Sequence, residues 1–173
     1  MVERPRYSAE RTGRKQIMKK YMLSVIFLLV ACAVVQAMDT VEAPKLCQQC
    51  RMDRTMFAHS RMLVVYADGT KTGLCSINCA VADMNLNKDK PVKSMLVADY
   101  STKKLIDANT AIWVVGGKKR GVMTALAKWA FVNEQDARAF VEENGGKVTS
   151  FEQVMQTTNK EVAEMAEMLN ELR

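Results

Sequence analysis

Short apolar runs rich in β-branched residues, broken by Gly, Asn and Asp, dominate the chain after position 60. Residues 61–66 (RMLVVY) form one such run, Asp68-Gly69 is a hairpin turn signal, and residues 70–74 make the return strand. Ser76 can cap a helix over 76–84, residues 85–91 are a polar loop, and 92–100 is again strand-like. The same order recurs downstream. Residues 110–115 and 128–132 are paired strand candidates flanking a basic Lys118-Lys119-Arg120 turn. Asn133 caps a helix over 134–143 with Ala137, Phe140 and Val141 at helical spacing, and Asn144-Gly145-Gly146 ends it. A short strand at 147–150 and a helical turn at 151–156 follow. The pattern predicts an α+β fold of two ββαβ-like units, about 47–100 and 104–150, in one small domain spanning 47–156. A C-terminal amphipathic helix over 157–173 carries Val162, Ala163, Ala166 and Leu169 on one side. Met165 and Met168 in this helix are spaced i, i+3, which assigns them to packing.

The first 37 residues have a different pattern. Arg11, Arg14, Lys15, Lys19 and Lys20 precede the apolar run 21–35, which ends in Val35-Gln36-Ala37, a small-residue cleavage pattern of the secretory kind. The run is shorter than a membrane span, which needs about 20 apolar residues. Within it, Leu29-Val30-Ala31-Cys32 has the form of a bacterial lipobox, so Cys32 is a candidate lipidation site alongside cleavage after Ala37. Either route implies export to the periplasm, the second with a lipid tether to a membrane face. Residues 38–46, with Pro44 and no apolar period, form a linker. The leader also accounts for the charge. Of a net +6, residues 1–37 contribute seven Lys/Arg against two Glu, leaving +1 for the rest. A nucleic-acid partner thus loses its electrostatic premise.

Chemistry concentrates in one stretch. Cys47-Gln48-Gln49-Cys50-Arg51-Met52 is followed by Met56, His59 and Met62, then Cys75-Ser76-Ile77-Asn78-Cys79. Three readings fit these residues. Exported cysteines commonly oxidise to disulfides. A C-x2-C and a C-x3-C pair separated by 24 residues also resemble the two knuckles of a four-thiolate zinc site. The third reading is Cu(I): in an extended segment Cys50 and Met52 share a face, and a thiolate with a thioether selects a soft ion.

The wider pattern resembles the NosL family of copper-binding accessory lipoproteins of nitrous oxide reductase. Its C-x-x-C-G-M is matched by Cys47, Cys50 and Met52, with Arg51 in place of glycine. The approach to a strand and D-G turn is matched by Ala58 to Gly69, the D-Y and I-D-A elements by Asp99-Tyr100 and Ile106-Asp107-Ala108, and the Gly-x-Met segment by Gly121-Val122-Met123. Ala130-Phe131 and Asn144-Gly145-Gly146 complete the order, which covers residues 47–155.

The resemblance implies two ββαβ units and Cu(I) held by Cys50 and Met52, with Cys47 from the same motif and Met123 joining from the second unit. His59 is the nearest nitrogen donor, with a packing role as its other reading. Cys75 and Cys79 depart from the family pattern, leaving open a second soft-metal site or a structural bridge. The function expected is non-enzymatic: an exported metallochaperone passing Cu(I) to a periplasmic or membrane-associated partner such as nitrous oxide reductase. The alternatives are a zinc module and a thiol–disulfide oxidoreductase working through Cys47 and Cys50, which would need a lowered thiol pKa.

Overall fold

The structure, a computed structural model, describes Glu42 and residues 44–172. The leader, Cys32 and the Ala37 cleavage site lie outside the described residues.

Strands β1 (Met62–Tyr66) and β2 (Lys71–Leu74) form the expected hairpin, with Gly69 at φ 87 and the Asp68 carboxylate accepting the Thr70 N–H at 2.8 Å. Helix α1 (Ile77–Leu86) follows, and β3 (Val92–Ala98) pairs antiparallel with β1. A second set repeats the plan: β5 (Ile112–Val115), β6 (Lys128–Phe131), helix α2 (Glu134–Asn144) and β7 (Lys147–Thr149). The fold is α+β, with two ββαβ units as the pattern predicts. Strand β4 (Leu105–Asp107) pairs with β3, so residues 105–107 extend the first sheet although the sequence placed them with the second unit. The sheets run β2-β1-β3-β4 and β6-β5-β7, all antiparallel within each sheet.

The β1 and β6 runs lack polar alternation because these two strands are nearly enclosed. In β1 only Val65 is not fully buried, and all four residues of β6, Lys128 included, are buried. Main-chain pairing joins the two sheets. Asp99 bridges Ala130, the Tyr100 N–H donates to the Ala130 carbonyl at 2.7 Å, and the Asp99 carboxylate accepts the Val132 N–H at 2.9 Å. One apolar core spans both units, with Trp113, Trp129, Tyr66 and Phe131 its largest apolar members.

The C-terminal segment corrects the sequence reading in two respects. Helix α3 runs unbroken from Phe151 to Glu171, where a turn and a separate helix were expected. Thr158 raised no barrier, since its buried hydroxyl donates to the Val154 carbonyl at 2.7 Å. Met165 and Met168, assigned to packing, are 48% and 62% exposed, because α3 leaves the body after its first turns.

Candidate metal centre

The first cysteine pair sits on a closed knuckle. Leu46 and Asp53 form an antiparallel bridge, and inside it the Cys47 N–H donates to the Met52 carbonyl at 2.9 Å, while the Arg51 N–H donates to the Cys47 carbonyl at 2.9 Å. Closing so tight a loop forces Arg51 to φ 66, the left-handed region where glycine is at ease. This is the position at which the family motif carries glycine. The left-handed residue also breaks the extended stretch on which the shared face of Cys50 and Met52 rested, so their relation is set by the turn and not by strand alternation. Expected to be linker, Glu42 and Pro44–Leu46 instead brace this knuckle.

Side chains on both sides hold it in place. Gln48 exchanges bonds with Gly73 of β2: its N–H donates to the Gly73 carbonyl at 3.1 Å and its Oε1 accepts the Gly73 N–H at 2.8 Å. Gln49 donates to buried Asp83 of α1 at 3.0 Å, and Asp83 also accepts the Tyr66 hydroxyl at 2.6 Å. Beneath the knuckle lies Arg54, fully buried, donating to the carbonyls of Leu74, Met62, Pro44 and Glu42 and paired with the Glu42 carboxylate, which also meets Arg61 at 3.1 Å. A Cβ on Gly73 would stand 2.6 Å from an Arg54 nitrogen, so glycine there makes room for the guanidinium.

The second pair sits at the start of α1. Ser76 is its N-cap, with Oγ accepting the Cys79 N–H at 3.4 Å, so Cys75 immediately precedes the cap and Cys79 lies in the first turn. The positive end of the helix dipole is therefore presented to both sulfurs, and no acidic residue in the first turn cancels it. The C-S-x-x-C spacing is a capping pattern as well as a ligand pattern.

Together the two elements bring Cys47, Cys50, Cys75 and Cys79 into one group whose sulfurs all lie within 4.8 Å of one another. Cys50 Sγ is 3.4 Å from Cys75 Sγ, which is 3.6 Å from Cys79 Sγ. A sulfur tetrahedron around an ion with ~2.3 Å bonds has edges of about 3.8 Å, so the group has the size of a coordination shell. None of the four is joined in a disulfide, which needs sulfurs at about 2.05 Å, so of the two readings left open for Cys75 and Cys79 the arrangement is that of a sulfur group and not of a bridge. Cys47, Cys75 and Cys79 are buried and Cys50 is half-buried. Within the group, hydrogen bonds from the Cys75 and Cys79 thiols push the Cys47 pKa far below the ordinary thiol range against the opposing effect of burial. Those of Cys75 and Cys79 are raised, first by their bonds to Cys47. Three thiols this close cannot ionise independently, because charge on one opposes charge on the next.

The other sequence candidates stand outside this group of four. Met52 is partly buried against the core next to Cys50. Met123 is 39% exposed and stands at φ 55, in the left-handed region that Arg51 and Lys103 also occupy. Its loop is tied to α1 through Glu161 of α3, which accepts from Asn78 at 2.8 Å, Thr124 at 2.9 Å and Lys128 at 2.7 Å. Asn78 is the neighbour of Cys79. His59 is outside the four-sulfur group and packs in an aromatic cluster, its ring centroid 5.9 Å from Tyr100 and 5.3 Å from Trp129. Burial, aided by the charges of Lys103 and Lys119, lowers its pKa and favours the neutral ring.

Gln48, Gln49, Arg54, Asp83 and Glu161 were not foreseen. The only sequence signal for them is proximity to cysteine in the case of the two glutamines.

Comparison with known proteins finds relatives of the chain and of its fold. The copper-binding lipoprotein NosL of Stutzerimonas stutzeri is 43% identical over 61 residues, 35% of this chain and 32% of that protein, so the match spans about a third of the relative's length. The crystal structure of the copper chaperone NosL from Shewanella denitrificans shares the fold at a TM-score of 0.52 and 23% identity, covering 65% of this chain and 91% of that one. The family model for NosL matches residues 38–159, and the chain belongs to the NosL family.

Proposed function

We propose that the protein is an exported Cu(I) carrier that receives the ion at its sulfur cluster and passes it by ligand exchange to a periplasmic or membrane-associated acceptor, nitrous oxide reductase being the recipient suggested by the family. The observation that carries this reading is the four-sulfur group in a NosL-family chain, with one member half-exposed. Thiolates and thioethers favour Cu(I), and a transfer site must stay open at one side. In this reading Cys50, Met52 and Met123 serve that side as ligands, Cys47 adds a second thiolate, and His59 stays in its aromatic cluster as a packing residue. Export and a lipid tether at Cys32 would hold the carrier beside its acceptor. No reaction on a substrate is needed, and the protein acts as a carrier, not an enzyme.

The zinc reading keeps one observation in its favour, because the same four sulfurs suit a closed tetrahedral cage. The two diverge in selectivity. Reduced mature protein should bind one Cu(I) with thiolate-to-copper absorption in the near ultraviolet and retain it against excess Zn(II). Zinc binding that displaces Cu(I) would establish the cage instead.

A further inference from the structure

The four thiols are not equivalent, and the difference follows the elements that carry them. Cys75 and Cys79 belong to the capped start of α1, and Cys47 is fixed at both backbone ends of the knuckle. These three are 0%, 0% and 4% exposed in the order Cys47, Cys75, Cys79. Cys50 sits on the turn of the knuckle, next to the strained Arg51, and is the one member of the group that reaches solvent.

We infer that Cys47, Cys75 and Cys79 form a buried three-thiolate seat in which Cu(I) rests, and that Cys50 is the sulfur through which the ion arrives and leaves. The inference rests on the Cu(I) reading and divides labour within its site. Three sulfurs suffice for Cu(I), a d10 ion satisfied by a trigonal shell, whereas zinc would demand the fourth. The dipole at the start of α1 stabilises the negative charge the seat acquires. An acceptor cannot touch three buried sulfurs, but it can touch an ion that has moved toward Cys50. As the ion docks, each ligating thiol gives its proton to solvent. On delivery, the bonds from copper to the three seat sulfurs break as its bond to Cys50 forms, and the Cys50 bond breaks in turn as one to a soft donor of the acceptor forms; the emptied thiolates take protons back from solvent, and copper stays Cu(I) throughout. Cys75 and Cys79, the departures from the family pattern, thus convert an open transfer site into one that also retains its cargo.

The test uses full-length mature protein loaded with one Cu(I). Competition with a Cu(I) chelator measures affinity, and stopped-flow transfer to the chelator measures release. Cys75→Ser and Cys79→Ser should each weaken affinity by about tenfold or more. Cys50→Ser should weaken it less than either, yet slow release by about tenfold, the reverse of what loss of an ordinary ligand does. X-ray absorption on the wild-type holoprotein needs no variant: three sulfur neighbours support the seat, and a two-coordinate or thioether-bearing ion overturns it. Cys75→Ser with wild-type affinity likewise overturns it while leaving the carrier reading intact, whereas wild-type protein that binds no Cu(I) overturns the carrier reading itself.

Discussion

Arg51 shows how one backbone angle links motif to geometry. Its φ of 66 is imposed by a loop in which Cys47 bonds to both Arg51 and Met52, and the side chain is exposed. A left-handed residue with a Cβ costs about 1–2 kcal/mol, and glycine gives back about half of that gain through its freedom in the unfolded chain. Arg51→Gly should therefore stabilise the domain by roughly 0.5–1 kcal/mol, seen as a higher urea midpoint at unchanged slope. A lower midpoint would show that the arginine side chain contributes something its exposure conceals. At this scale the sequence was partly legible. Cysteine announces itself by rarity and spacing, so the sulfur cluster was visible. Arg54 was not, because a buried arginine and a surface arginine are the same letter, and only the fold reveals the carbonyls gathered around it.

The elements were more legible than the contacts between them. Capping residues Ser76 and Asn133, the Asp68-Gly69 turn and the enclosed apolar runs act locally, and each element they mark is present. Strand β4 escaped notice because three residues carry no period, and α3 was read as a turn and a separate helix although the chain continues helical through both. The knuckle was read as a ligand motif, not as a structural element, and its support comes from a residue outside the motif. Arg54→Met would fill similar space but leave the Leu74, Met62, Pro44 and Glu42 carbonyls and the Glu42 carboxylate without their donor. Removing one member of a buried ion pair commonly costs 3–5 kcal/mol, so a loss of about 3 kcal/mol is expected in chemical denaturation. A loss below about 1 kcal/mol would mean that the guanidinium's desolvation offsets nearly all of its bonds.

Across the whole molecule the sulfur group belongs to the first ββαβ unit and Met123 to a loop of the second, so any shared task depends on how the units are fastened. Main-chain pairing at Asp99 and Ala130 does part of this, and Glu161 does the part nearest the site. Its carboxylate gathers Asn78 of α1, Thr124 of the Met123 loop and Lys128 of β6, whose side chain is 1% exposed. Burial opposes ionisation, but the bonds from Lys128, Asn78 and Thr124 outweigh it and hold Glu161 below its ordinary value of 4.5. A carboxylate whose folded pKa is depressed contributes stability that is complete above its unfolded pKa and is lost as pH falls through the folded value. Glu161→Gln should thus cost about 2 kcal/mol near neutral pH, the scale of hydrogen bonds to a charged group. The gap between variant and wild type should narrow steadily as pH falls below 4.5. Denaturation at a series of pH values measures the gap directly. The loop that carries Met123 would also be released from α1, so copper transfer should slow in the variant even at neutral pH, where the fold persists. A gap that stayed constant down to acid pH would show that the charge on Glu161 is not what fastens the second unit to the first.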